Sequence, residues 1–205
     1  MVRTADSIRL AVEALARREK AFASVVEKHG VPEPRRSEPG AHTLLRTIVG
    51  QQVSVAAARS MWSKLEAAYG SPPELEAILT ATDEELRLAG ISRQKAGYAR
   101  SLAELVLSGE LDLSALPEDD EEAIAHLIRI KGIGRWSAEI YLLFAEGRPD
   151  VWPAGDLAVQ IEIGRLMGIE GKPSEKQLRE IAEAWRPHRG AAAILAWHSY
   201  NSSVL

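Results

Sequence analysis

Cysteine is absent from this chain of 205 residues. Disulfides, thiolate zinc sites and a cysteine-ligated iron–sulfur cluster are therefore excluded. No apolar run approaches the roughly 20 residues of a membrane span. No basic-then-apolar leader opens the sequence, so a cytoplasmic protein is expected, nucleoid-associated if prokaryotic. The five histidines (29, 42, 126, 188 and 198) are scattered, and no metal-hydrolase site is expected. Strand-type alternation, internal repeats and low-complexity tracts are also lacking. An excess of basic residues is missing too: 25 Lys and Arg face 29 Asp and Glu, for a net charge of −4. Nucleic-acid binding normally goes with a basic surface, so the sum argues mildly against it. The distribution argues the other way. Glu104 to Glu122 holds eight acids and no Lys or Arg, whereas Arg129, Lys131 and Arg135 follow with no acid among them.

What remains is a helical chain, 46% apolar and long enough to bury a core. Ile8, Val12, Leu15, Phe22 and Val26 recur at roughly helical spacing, predicting a helix over 5–28. Pro32, Pro34 and Pro39 then break it. Helices fit 41–50 and 54–69, the second ending at Gly70. Thr82 with Glu85 reads as a capping box before a short helix closed by Gly90, and Ser92 caps the next, which runs to Gly109. Pro117 begins another. A helix over 135–146 stops at Gly147 and Pro149, and Asp156 opens one that runs to about Gly168. Ser174 with Gln177 is a second capping box, and Pro187 separates the last two helices. About ten short helices with brief connections indicate an all-α fold.

Two features carry chemistry. In Ile130-Lys131-Gly132-Ile133-Gly134-Arg135-Trp136, two glycines flank one apolar residue between two helices. Such a turn is either an ordinary helical corner or a place where main-chain N–H groups hold a phosphate. Asp156 stands twenty residues after Trp136. Asp is a favoured helix N-cap, and the positive end of a helix also stabilises a carboxylate kept ready as a base or electrostatic partner; the two roles are compatible. Five tryptophans (62, 136, 152, 185 and 197) stand beside only two Phe and four Tyr. Each is either core or, lining a cleft, a face on which a cationic base stacks. Gln51-Gln52-Val53-Ser54 is either a polar connector capped by Ser54 or a loop that enters a duplex and fills the space of a displaced base.

Taken in order, these stretches resemble the helix-hairpin-helix DNA glycosylase superfamily, in its 3-methyladenine DNA glycosylase II branch. The match runs through Ile48 to Ser54, Gly90 to Ala96, Ile130 to Ala138, Trp152 to Asp156, and Trp185 to Arg189 leading to Trp197. The resemblance implies two helical lobes, a central one over 41–149 carrying the hairpin and a second built from 1–40 and 150–205, with an active-site cleft between them. It implies Asp156 as the catalytic aspartate, and a base pocket formed by Trp136, Trp197 and Gln51. Gln52 becomes the wedge entering the duplex, with Ser54, Lys131, Gly132, Ile133, Gly134 and Arg135 as further DNA contacts. No cofactor is required, although a structural Na or K ion at the carbonyls of Ile130 and Ile133 would fit the family.

The chain departs from relatives in several places. The additional N-terminal β domain of some of them is not expected here. Gln52 is polar where others use an apolar wedge, Gly155 replaces a second acid, and Ile140 replaces an aromatic residue. Members that also cleave the strand resemble this hairpin but place a lysine where Trp136 stands. An amine forms a Schiff base with the sugar, and an indole does not. The expectation is a monomeric, monofunctional enzyme acting on double-stranded DNA with damaged bases: it flips out alkylated purines, hydrolyses the N-glycosidic bond and leaves an abasic site. The alternative is a non-catalytic lesion-binding protein using the same hairpin. Asp156 discriminates, because a pure binder gains nothing from a carboxylate beside phosphates.

Overall fold

The computed structural model describes residues 4–204, with side chains described to 202, and no β-strand occurs among them. The chain is all-α and two-lobed. It divides into two compact units, Met1–Ser37 with Leu142–Leu205 and Glu38–Tyr141. These boundaries fall at 38 and 142, where the sequence reading drew 41 and 150.

The continuous unit holds α3 (Ala41–Gly50), α4 (Val55–Tyr69), α5 (Leu75–Thr80), α6 (Asp83–Leu88), α7 (Arg93–Leu107), α8 (Asp120–Leu127) and α9 (Arg135–Tyr141). Helix α7 packs against α3, α5 and α6. Leu44, Leu45, Ile48, Leu65, Ile78 and Leu102 form the buried centre. The starts of these helices are set by side chains. Ser54 accepts from the Ala57 N–H, Ser92 from that of Lys95 and Thr82 from that of Glu85, while Glu85 returns a bond to the Thr82 N–H. The helix expected from Pro117 begins instead at Asp120, capped by Asp119, whose carboxylate accepts from the Glu122 N–H. Helix α5 was not anticipated.

The unit built from both chain ends holds α1 (Ala5–Arg18), α2 (Lys20–His29), α10 (Leu157–Leu166), α11 (Glu175–Ala182) and α12 (Arg189–Val204). The single helix predicted over 5–28 is two helices, broken at extended Glu19. Both keep buried faces, Ile8, Val12 and Leu15 on the first and Phe22 and Val25 on the second, so the apolar spacing alone did not expose the break. Helix α12 packs on α1, α2 and α10. Three rings lock the interior edge to face: Phe22 on Trp185 at 5.0 Å, and Trp185 on Trp152 at 5.4 Å. Trp152 and Trp185 are therefore core residues of this unit, and Trp62 is buried in the other. The helix expected over 135–146 ends at Tyr141, and Leu142–Glu146 follows as a π-helical turn. No helix among the described residues is long and apolar enough to cross a membrane.

Candidate active site

In the unit formed by the chain ends, the site begins with a buried loop. Trp152 is anchored by its indole, which donates to the Leu178 carbonyl at 3.2 Å. The Ala154 N–H donates to the Trp152 carbonyl, and the Asp156 N–H to that of Pro153. This tight turn delivers half-buried Asp156 as the N-cap of α10. Its Oδ1 accepts from the Val159 N–H at 2.9 Å and from the Trp197 indole at 3.0 Å. Both donors hold the carboxylate in one orientation, which satisfies the helix end and aims a reactive group at the same time. At position 155, a Cβ would lie 3.5 Å from the Glu175 carboxylate, so a second acid there would crowd a like charge.

Trp197 is carried by α12, whose start is pinned. The Gly190 N–H donates to the Pro149 carbonyl at 2.9 Å. A Cβ on Gly190 would meet Leu143 at 2.7 Å and Pro149 at 2.8 Å, so only glycine allows this approach. Asp150 adds ion pairs to Arg186 and Arg189. Nearby His188 is held below its ordinary value by burial and by Arg18. Half-buried Trp197 packs its ring against Phe144 at 5.7 Å, and the two line a recess of about 270 Å³ with Glu33 and Asn201.

The continuous unit holds the hairpin. Helix α8 leads through Ile128 into the turn, and α9 leaves it. Gly132 has φ +83°, and a Cβ there would lie 2.2 Å from the Tyr98 ring, so glycine is demanded by backbone and packing alike. Gly134 differs. It has no positive φ and nothing within 4 Å of a Cβ, so its missing side chain leaves the turn open rather than making it possible. Buried Ile133 anchors the loop, and its N–H donates to the Ile130 carbonyl at 3.0 Å. The Lys131 N–H is taken by Ser101, and the Gly132 carbonyl accepts from the Gln51 side chain at 2.8 Å. The N–H groups that open α9 have no acceptor one turn earlier within the helix.

The expected cluster of cations is reduced by this folding. Arg129 is paired with Glu110, and Arg135 with Glu121 and with buried Glu139. Hydrogen bonding to Glu121 raises Arg135 well above its ordinary value. Lys131 remains exposed.

Gln52 is exposed and has φ +54°, the one non-glycine residue in the left-handed region among those described. Ser54, two residues further on, caps α4. Trp136, 47% exposed, and Gln51 line a recess of about 710 Å³ with Thr47, Gln52, Lys95 and Gly132. Lys95, to which the sequence reading gave no role, donates to the Val49 carbonyl at 2.7 Å and is lowered by burial. Asp156 and Trp197 thus meet in one unit, and Gln51, Gln52, Trp136 and the hairpin gather in the other.

A family model described as HhH-GPD superfamily base excision DNA repair protein matches residues 45–187. This chain belongs to that superfamily. The HhH-GPD match takes in the hairpin and Asp156 together. DNA-3-methyladenine glycosylase 1 of Schizosaccharomyces pombe is 32% identical over 158 residues, covering 75% of this chain and 69% of its own length. The structure of the Schizosaccharomyces pombe 3-methyladenine DNA glycosylase Mag1 in complex with abasic DNA is 30% identical, with a TM-score of 0.75 over 90% of this chain and 92% of that one. A DNA-3-methyladenine glycosidase from Bacillus halodurans is 30% identical, with a TM-score of 0.85 over 98% and 93%. Other HhH-GPD relatives are longer: the chain spans 57% of YfjP of Bacillus subtilis, to which it is 29% identical.

Proposed function

We propose that this HhH-GPD chain is a monofunctional DNA glycosylase that excises alkylated purines of the 3-methyladenine type from duplex DNA. The observation that carries this reading is the Asp156 carboxylate, fixed by the Val159 N–H and the Trp197 indole in a chain whose hairpin is open at Gly134. Capping α10 requires one hydrogen bond. The second, from a helix 41 residues later, does nothing for the cap and everything for orientation.

The chemistry follows from the substrate. A base inside a duplex must be flipped out, at a cost of roughly a few kcal/mol that is least for a damaged, weakly paired base. Alkylation at a ring nitrogen leaves the purine cationic and a good leaving group without a general acid. One aspartate then suffices where glycoside hydrolases use two carboxylates. Asp156 stabilises positive charge on the sugar as the bond to the base breaks, and orients water at the anomeric carbon. An indole face such as that of Trp197, beside Asp156, favours a cationic base over a neutral one. Trp136 offers no amine, so no Schiff base forms and the strand stays intact.

Backbone amides at the hairpin and at the starts of α4 and α9 bind phosphate without adding positive charge, which reconciles DNA binding with a net charge of −4. Gln52, held at the tip of its turn, fills the gap left by the flipped base. The carbonyl oxygens of Ile130 and Ile133 are of the kind a monovalent cation takes, and such an ion would offset phosphate charge.

The test is incubation with methylated duplex DNA, identifying the released base chromatographically and the strand by gel. Free methylpurine with intact strands, cut only after alkali, is expected. Tight binding to damaged duplex without base release would favour the lesion-binding alternative.

A further inference from the structure

We infer that Gln160 is a positioning residue for Asp156, an inference that rests on the reading of Asp156 as the catalytic carboxylate. Gln160 lies in the first turn of α10 and is only 8% exposed. A buried carboxamide is costly unless it is hydrogen-bonded, and an apolar residue would fill the same helical position without that cost. The side-chain Nε2 donates to the Ala154 carbonyl at 2.9 Å. The backbone N–H of the same residue donates to the Asp156 carbonyl, also at 2.9 Å.

Gln160 therefore grips the chain on both sides of Gly155. Ala154 is fully buried, whereas Gly155 is exposed. Glycine at 155 is not required by a positive φ, and a Cβ there would meet Glu175 at no less than 3.5 Å. Glycine restrains its own backbone least of any residue, so the loop beside the carboxylate is held by hydrogen bonds, that of the Asp156 N–H to the Pro153 carbonyl among them. The cap bond from Val159 and the indole of Trp197 fix the end of the side chain. The Gln160 carboxamide fixes the backbone from which it springs. Displacement of a reacting group by about 1 Å costs about 100-fold in rate, the scale on which this clamp acts.

The experiment uses the full chain with Gln160→Met, Gln160→Glu and Asp156→Asn, measuring single-turnover base release from methylated duplex, affinity for abasic duplex and thermal midpoint. Gln160→Met keeps length and helix propensity but cannot donate. Release is expected to fall about 10- to 100-fold, with affinity for abasic duplex near native. Gln160→Glu cannot donate as a carboxylate but can as a carboxylic acid. Burial at this position raises such a carboxyl above its ordinary range, so the variant's rate relative to the native chain should recover as pH falls from about 8 toward that range, while that of Gln160→Met stays flat. A purely structural role would shift midpoints without that pH signature.

Folded Gln160 variants within about twofold of native release, or a pH ratio equally flat for both, would overturn the inference. Native release persisting in Asp156→Asn would instead overturn the reading on which it rests. Abolished release in Asp156→Asn beside native rates in both Gln160 variants would sink the positioning role alone.

Discussion

The Trp197 indole donates to Oδ1 of Asp156 at 3.0 Å, so the side chain that the resemblance places in the base pocket also holds the carboxylate. Hydrogen bonds to charged groups contribute about 1.5–3 kcal/mol, equivalent to roughly tenfold or more in rate if the bond is kept in the transition state. Trp197→Phe preserves a ring against Phe144 and removes the donor. Single-turnover release should fall at least about tenfold with little change in binding to undamaged duplex. An unchanged rate would reduce Trp197 to packing.

The hairpin glycines separate by experiment. Gly132→Ala forces a Cβ against the Tyr98 ring and a strained φ, so denaturant unfolding should show a loss of at least about 1–3 kcal/mol. Gly134→Ala meets open space and should lose less than about 1 kcal/mol, while weakening duplex affinity by covering exposed amides. Equal stability losses at the two positions would contradict this division.

Lys131 and Arg135 should also part company. Lys131→Ala is expected to weaken duplex binding across sequences and to lower the salt slope by about 1. Arg135→Ala strips one partner from Glu139, which is 2% exposed, and should lower the midpoint of denaturant titration. A normal midpoint with a reduced salt slope in Arg135→Ala would show that its charge faces DNA after all.

Glu162 gives a pH dependence. Burial alone would raise it, but hydrogen bonds from Arg165 and Ser199 and the charge of Arg165 outweigh this and hold it below its ordinary 4.5. A depressed carboxylate contributes stability that is fully present above the ordinary value and is lost as pH falls through the folded one. The advantage of the native chain over Glu162→Gln should therefore be full at neutral pH and shrink as pH falls below the ordinary carboxylate value, read from urea midpoints. A constant difference would contradict the assignment.

Local chemistry was legible in the sequence because it acts over three or four residues. Thr82 with Glu85, Ser174 with Gln177, Ser54, Ser92 and Asp156 all cap the helices assigned to them. The break at Glu19 was hidden because it has neither glycine nor proline and leaves buried faces on both sides. Contacts distant in sequence were hidden for a different reason. Nothing local to Gln51 announces the Gly132 carbonyl 81 residues away, or predicts that Glu121 and Glu139 occupy Arg135. Gly132 and Gly134 looked equivalent until Tyr98 was placed against only one of them. Nothing in the sequence marks Gln160, because its partner lies in the loop behind it.

The most direct test of the central claim compares the native chain with Asp156→Asn in single-turnover base release from methylated duplex, with affinity for abasic duplex measured in parallel. Asparagine keeps an oxygen for the Val159 N–H and the Trp197 indole but carries no charge. Release should fall by at least about 100-fold while binding is retained, with intact strands throughout. Release near the native rate in Asp156→Asn would contradict the account.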